Sequence, residues 1–195
     1  AEYTSESPDR YPPVLCSFAG VEKTLLDPNA RLLETVRMGN CAELEFRGAA
    51  SAKVKMMVAY PPNFNSGKKW PLLHMIHGGP HGAFGDHWHP RWNPHVFAAQ
   101  GFVVAMVNFH GSTGFGDAFT RSIHGGCTIK PFEDVMAATD HLISLGYIDG
   151  NRMAASGGSF GGQMACWIAG HTDRFKCLVN HAGVYNILSQ FSSDV

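Results

Sequence analysis

The feature that most constrains this fold is a serine flanked by glycines, set between a strand-like and a helix-like run. The segment Gly157–Gly161 reads G-G-S-F-G and follows the apolar residues Met153–Ala155, while Met164–Ala169 continue it with helical character. A serine can project from a sharp strand-to-helix turn only when the residues two before and two after it lack side chains. The helix that follows also favours negative charge near its N-terminus. The pattern therefore predicts a nucleophile elbow with Ser159 as the nucleophile.

A second motif, His77-Gly78-Gly79-Pro80, lies upstream, directly after the apolar run Leu72–Ile76. An α/β-hydrolase needs a second oxyanion donor from the loop after its third strand, and glycines there let a backbone N–H approach the substrate. The serine segment alone could be a flexible Gly/Ser loop, and a P-loop lacks support because no Lys-Ser/Thr pair closes it. Both motifs in this order predict a serine hydrolase.

Composition and charge exclude several classes of partner. The 195 residues are 45% hydrophobic and 16% charged, which predicts a globular chain with a sizeable core. The net charge is -1 and the longest basic cluster is Lys68-Lys69, so no nucleic-acid or anionic-membrane partner is expected. The apolar run Phe102–Val107 is far shorter than the roughly 20 residues that span a bilayer. We therefore expect a soluble protein.

The N-terminus bears on localisation. The start, Ala1–Glu6, has neither a basic region nor an apolar region typical of a signal peptide. It also lacks Met, so upstream sequence is expected to be missing. The expected compartment is the cytoplasm, with a periplasmic or secreted location left open.

Cysteines and histidines give no clear metal signature. The five cysteines are odd in number and form no C-x-x-C pair, which predicts reduced thiols. A metal site is the alternative for a histidine-rich stretch, but no H-E-x-x-H motif is present. We therefore predict no metal and no cofactor, and interpret these histidines as pocket-rim and turn residues: His74, His77, His81, His87 and His89.

The first 40 residues differ from the rest. Prolines break any long element, and only short strand-like pieces such as Val14–Phe18 fit between them. This segment is predicted to end a different domain. From Glu43 the pattern becomes regular, and Glu43–Arg47 is predicted to pair with Lys53–Tyr60 as a hairpin.

Downstream, strands and helices alternate, as a doubly wound and mostly parallel α/β sheet requires. Continuous apolar strands predict a sheet covered on both faces. The predicted strands are Trp70–His77, Phe102–Phe109, Arg152–Ser156 and Cys177–Asn180, and the predicted helices are Pro94–Gln100, Pro131–Leu145 and the one after Ser159.

With these motifs in place, about four-fifths of the chain resembles the catalytic domain of the prolyl oligopeptidase family of serine peptidases, in its dipeptidyl-peptidase and acylaminoacyl-peptidase branch. The resemblance implies that residues 41–195 are the N-terminal part of an α/β-hydrolase catalytic domain. Residues 1–40 would be the end of a β-propeller and a linker. The matching blocks are Pro71–Gly82, Asn108–Gly116, Lys130–Asp134 and Gly158–Gly162.

The resemblance also implies roles for individual residues. Ser159 would be the nucleophile, and the backbone N–H groups of Phe160 and Gly79 would form the oxyanion hole. His110 and Phe160 stand where many relatives carry Arg and Tyr, which puts a substrate contact by that arginine in doubt. We assign the near side of the substrate pocket to four residues, with simple packing as the alternative for the aromatic ones: His77, Trp88, Trp92 and Phe115.

The order of catalytic residues in this fold is Ser, then Asp or Glu, then His. The stretch from Ser159 to Val195 holds only the nucleophile helix, a strand and a loop, so the acid and histidine are expected beyond Val195. The nearby substitutes His171, Asp173 and His181 are not assigned to the triad. The chain is thus interpreted as a fragment truncated at its C-terminus and nearly inactive alone.

The leading functional hypothesis is a serine peptidase that cleaves short peptides through an acyl-enzyme on Ser159. A carboxylesterase is the alternative, because an elbow and an oxyanion hole serve any acyl transfer. A non-catalytic hydrolase-fold binding module is a third. The expected partners are a peptide substrate and the remainder of the same polypeptide, and homo-oligomerisation stays open.

Overall fold

The computed structural model describes residues 2–193, which form two separate β-sheets. The N-terminal sheet is antiparallel with the order β1-β2-β3, and every residue of its third strand is exposed. The predicted strand Val14–Phe18 is confirmed. That this segment ends a β-propeller stays a prediction. The elements are β1 (Glu2–Thr4), β2 (Val14–Phe18), β3 (Val21–Leu26) and helix α1 (Ala30–Leu33).

The second sheet has six strands in the order β4-β5-β7-β6-β8-β9. Its first two strands form the predicted antiparallel hairpin, and β7, β6, β8 and β9 are parallel. The predicted mostly parallel α/β sheet is therefore confirmed. Its elements are β4 (Cys41–Arg47), β5 (Lys53–Ala59), β6 (Trp70–Ile76), α2 (Pro94–Ala98), β7 (Val103–Asn108), α3 (Asp117–Arg121), α4 (Ile129–Ser144), β8 (Ile148–Gly158), α5 (Phe160–His171), β9 (Cys177–His181) and α6 (Ile187–Ser193).

Both faces of the central strands are buried, which explains their continuous apolar sequences. Successive side chains of a strand point to opposite faces. In β6, Leu72 belongs to the larger core, which includes residues of α4 and α5, whereas Leu73 belongs to a smaller core that includes Ala98 of α2. Helices thus cover the sheet from both sides.

Helix α4 confirms the predicted amphipathic crossover helix and starts two residues before Pro131. Gly146 follows its end with a φ of 87°, a left-handed conformation that suits glycine and lets the chain turn away. The helix buries one charged side chain, Asp134, which the amphipathic pattern does not predict.

The last strand, β9, forms the edge of the sheet, and only Leu178 in it is partly buried. Val179 is 49% exposed, so this edge carries an exposed apolar side chain. All five cysteines are free, as predicted. None of the helices within residues 2–193 has the length and apolar character to cross a bilayer.

Candidate active site

Ser159 occupies a strained turn between β8 and α5. Its φ of 56° and ψ of -118° lie outside the regions that non-glycine residues favour. The two flanking glycines are required by crowding. A Cβ on Gly157 would lie 2.4 Å from the backbone carbon of Gly161, and a Cβ on Gly161 would lie 2.1 Å from the carbonyl oxygen of Ile76. The predicted strand-turn-helix geometry of an elbow is confirmed.

Parallel pairing brings the two glycine motifs together. Strands β6 and β8 are neighbours, and Ile76 pairs with Gly157, so the loop after β6 meets the turn after β8. A Cβ on Gly78 would lie 3.3 Å from Ser159 Cβ and 3.8 Å from Ser159 Oγ. The backbone of the His77–Pro80 loop therefore lies directly beside the serine.

Phe160 is the first residue of α5, so its backbone N–H has no acceptor within the helix. Its side chain is 4% exposed and packs against Phe109, with the ring centroids 5.6 Å apart. The phenyl ring is thus part of the core.

The imidazole of His77 uses both nitrogens inside the protein. Nδ1 lies 2.8 Å from the carbonyl oxygen of Gly78, and Nε2 lies 2.9 Å from Ser112 Oγ. The ring stacks on Phe109 with centroids 4.1 Å apart. Burial lowers the pKa of His77 to about 4, although the bond to Gly78 opposes this shift. His77 lines the pocket as predicted for a substrate-binding residue, but neither ring nitrogen is free to bind substrate.

Hydrogen bonds join the loop after β6 to the loop after β7. The N–H of Thr113 donates to Gly82 O, and His81 Nδ1 donates to Gly111 O. The side chain of Asn108 accepts from the N–H of Phe84 and donates to its carbonyl oxygen. The two loops therefore form one rigid unit beside Ser159.

His110, in place of the relatives' arginine, does not line the pocket. It is 5% exposed, and both its backbone N–H and its Nδ1 lie within 2.7 Å of Asp134 Oδ2. The other carboxylate oxygen accepts the N–H of Ala49. This carboxylate therefore ties α4 to the loop after β7 and to the β4–β5 hairpin. The side chain at this position is buried, so it is not placed to contact a substrate in the pocket.

A pocket of about 360 Å³ opens beside Ser159, within the usual size range for small ligands. Its apolar wall includes Phe84 and Trp92, and its polar side includes Arg91 and His181. The guanidinium of Arg91 lies 5.6 Å from the centre of the Trp92 ring. No Asp or Glu of the described residues lines it.

Two of the predicted pocket residues lie elsewhere. The ring of Trp88 packs edge-on against Tyr11, and the backbone N–H of Trp88 donates to the carboxylate of Glu6. The N-terminal segment thus holds this residue away from Ser159. Phe115 packs on Phe119 of α3 and is 37% exposed. The expectation that these two side chains line the pocket is corrected, whereas Trp92 does line it.

Within residues 2–193, no histidine nitrogen lies at hydrogen-bond distance from Ser159 Oγ. His181 accepts the N–H of Ser159 through its carbonyl oxygen, and its ring lies edge-on to Trp92. His171 bonds to the carbonyl oxygen of Trp167 at the far end of α5. The described residues also contain no cluster of three or more groups that could hold a metal.

Several residues near the serine were not assigned to the pocket or its support from the sequence. Phe84, Arg91 and His181 line the pocket, and Ser112 supports His77. Ser112 lies inside the glycine-rich block Asn108–Gly116 after β7, so this motif could have indicated that Ser112 lies near the site. Phe84 and Arg91 lie in a loop without periodicity and His181 ends β9, and only the three-dimensional structure brings them together.

Comparison with known proteins agrees with this geometry. The prolyl oligopeptidase family matches residues 88–195. Dipeptidyl-peptidase 5 of Schizosaccharomyces pombe is 39% identical over 173 residues, which are 87% of this chain and 25% of that protein. Dipeptidyl-peptidase 5 of Porphyromonas endodontalis is 38% identical over 140 residues, which are 71% of this chain and 20% of that protein.

Solved structures share the fold. Acylaminoacyl peptidase of Pyrococcus horikoshii superposes with a TM-score of 0.82 at 22% identity, over 94% of this chain and 29% of that one. A puromycin-hydrolysing peptidase of Mycobacterium tuberculosis gives 0.83 at 25% identity, over 100% of this chain and 31% of that one. The chain thus spans about a quarter of the length of the curated relatives it matches. Because the family match covers more than half of the sequence and the elbow geometry agrees with it, this chain belongs to the prolyl oligopeptidase family.

Proposed function

We propose that this chain carries the nucleophile and the oxyanion hole of a serine peptidase that hydrolyses short peptides, of the dipeptidyl-peptidase or acylaminoacyl-peptidase type. The observation that carries the proposal is the strained Ser159 at the N-terminus of α5, with the backbone of Gly78 packed against it. The relatives named dipeptidyl-peptidase 5 support peptides as the substrate class.

In the proposed reaction, Ser159 Oγ attacks the carbonyl carbon of the scissile peptide bond and gives up its proton to a histidine base. The carbonyl oxygen becomes negatively charged and accepts hydrogen bonds from the backbone N–H groups of Phe160 and Gly79. The C–N bond then breaks, the amine leaves with the proton from the histidine, and an acyl-enzyme remains on Ser159. Water then hydrolyses the ester and restores the serine.

The base belongs, in this proposal, to polypeptide that the relatives have in addition to the part matched here. The matched part is only 25% of the length of such a relative, and none of the histidines in residues 2–193 hydrogen-bonds to Ser159 Oγ. We assign the acid and histidine of the triad to a C-terminal hydrolase part, and the three-stranded N-terminal sheet to the end of a β-propeller. A protein of these 195 residues alone is then expected to be nearly inactive.

The proposal is tested with the full-length protein and a fluorophosphonate probe, which reacts with activated serines. The matched variants are Ser159→Ala and Ser144→Ala, the second removing an exposed hydroxyl at the end of α4. We expect labelling of the wild type and of Ser144→Ala, and none of Ser159→Ala. Labelling that persists in Ser159→Ala would remove this serine from the mechanism, and absence of labelling in the wild type would favour a binding module.

Substrate class is measured with matched amides and esters. We expect turnover of dipeptidyl or N-acyl p-nitroanilides, reduced by several orders of magnitude in Ser159→Ala. Turnover of p-nitrophenyl esters with no amide cleavage would indicate a carboxylesterase instead.

A further inference from the structure

We propose that Ser112 is a positioning residue, whose hydroxyl fixes the tautomer of His77 and thereby aims the Gly79 N–H at the substrate oxygen. The inference rests on the proposed function, because it explains how one of the two oxyanion donors is held. It assigns a task to a serine that contacts neither the nucleophile nor the pocket.

The tautomer follows from the partners of the ring. A carbonyl oxygen only accepts hydrogen bonds, so the contact of 2.8 Å between His77 Nδ1 and Gly78 O requires a proton on Nδ1. The buried ring is neutral at neutral pH, and Nε2 then carries a lone pair. Ser112 Oγ, 2.9 Å away, donates its proton to that lone pair.

The peptide group transmits this constraint to the oxyanion hole. The carbonyl of Gly78 and the N–H of Gly79 belong to one planar trans peptide and point in opposite directions. Holding the carbonyl oxygen against His77 therefore sets the direction of the N–H. Gly79 has a φ of 122°, a conformation open to glycine, and the contact with His77 is one of the restraints that select it.

Ser112 is itself well held. It is fully buried, its N–H donates to Phe109 O, and its carbonyl oxygen accepts the hydroxyl of Thr120. Its fixed backbone leaves the hydroxyl as the part of the residue that serves His77. The ring of His77 is likewise fixed by stacking on Phe109, so the two nitrogens cannot exchange places by a small movement.

Removing the hydroxyl removes one of the two contacts that favour this tautomer. In Ser112→Ala, Nε2 would be a buried lone pair without a donor, an unfavourable state that costs free energy. Moving the proton to Nε2 would leave a lone pair on Nδ1 facing the lone pairs of Gly78 O. The ring leaves the first state by adopting the second, whose lone-pair repulsion loosens the Gly78–Gly79 peptide, while the apolar wall of the pocket at Phe84 and Trp92 is not altered.

The kinetic test uses the full-length enzyme and compares Ser112→Ala with Ser122→Ala. Ser122→Ala likewise removes a serine hydroxyl. That hydroxyl donates to the carbonyl oxygen of Phe119 and does not touch His77. For Ser112→Ala we expect kcat per titrated active site to fall roughly 10- to 100-fold with KM within about threefold, since loss of a whole oxyanion donor costs 10²–10³. Ser122→Ala should match the wild type. Ser112→Cys keeps a weak donor, so its kcat per active site should lie between those of Ser112→Ala and Ser122→Ala. It replaces Ser112→Ala in the test if that variant does not fold.

A merely structural serine would lower the melting temperature or the number of titratable sites and leave kcat per site unchanged. That result would overturn the inference.

A second readout does not depend on turnover. In the ¹⁵N spectrum of histidine-labelled protein, with the signals of His77 identified by their loss in His77→Asn, we expect a proton on Nδ1 in the wild type and an altered pattern in Ser112→Ala. An unchanged tautomer would overturn the inference even with active enzyme. A wild type without Ser159-dependent turnover would refute the proposed function and, with it, the inference.

Discussion

Replacing Asp134 by alanine should destabilise the protein far more than replacing an exposed aspartate of the same helix. The carboxylate is fully buried and accepts three hydrogen bonds, from the backbone N–H of His110, from His110 Nδ1 and from the backbone N–H of Ala49. In Asp134→Ala all three donors remain buried without an acceptor. Each such donor costs about 1–3 kcal/mol, so the loss of the acceptor of all three is expected to cost about 3–5 kcal/mol or more in total.

The matched control is Asp140→Ala, also in α4, whose side chain is 69% exposed and pairs with Arg174. An exposed pair of this kind contributes about 0–1 kcal/mol. His110→Ala should fall between the two, because the backbone donors keep their acceptor in that variant.

The assay is urea unfolding of the full-length protein, following the transition that abolishes fluorophosphonate labelling at Ser159. We expect Asp134→Ala to lower the free energy of unfolding of this domain by about 3–5 kcal/mol, or the melting temperature by roughly 6–20 °C. Equal losses in Asp134→Ala and Asp140→Ala would show that the buried carboxylate does not hold the three segments together.

Three further outcomes follow from the geometry. Gly161→Ala should abolish labelling at Ser159, because its Cβ would lie 2.1 Å from Ile76 O, whereas Gly170→Ala in the same helix meets nothing within 4 Å and should label normally. Trp92→Ala should lower kcat/KM about tenfold or more through lost apolar contact in the pocket, and Trp88→Ala should stay within about twofold; the reverse order would restore Trp88 to the pocket. Burial lowers the pKa of His74 to about 3 and that of His77 to about 4, from 6.5. Between about pH 6.5 and 4 the unfolded chain therefore binds protons at these histidines that the folded chain does not bind. Their contribution to the free energy of unfolding is fully present above pH 6.5 and falls as the pH is lowered. Between pH 7 and 4.5 the urea midpoint of His74→Gln should fall less steeply than that of the wild type. An identical fall in both proteins would exclude His74 as a cause of the acid destabilisation.

The sequence allowed the elements around the nucleophile to be predicted because local rules govern them. The elbow follows from steric exclusion at Gly157 and Gly161, and helix α4 follows from its apolar periodicity and from Gly146. These constraints act within a few residues, so a pattern in the sequence records them.

The remaining features depend on contacts between distant segments. Trp88 and Trp92 are four residues apart in a loop without periodicity, and only the packing of Tyr11 against Trp88 decides which of them faces the pocket. Likewise, nothing near Asp134 in the sequence indicates that its partners are His110 and Ala49. Such pairings have no local signature, and the sequence analysis missed them for that reason.

The parallel pairing of β6 with β8 has a consequence for the way the protein is made. The two halves of the site, at Ile76 and Gly157, are neighbours in the sheet but lie about eighty residues apart in the chain, and contacts of that separation form late because a long loop must close first. During synthesis, the loop that contains Gly78 leaves the ribosome well before the strand that carries Ser159. The nascent chain therefore passes through a long stage in which the loop after β6 exists without the turn at Ser159 that packs beside it.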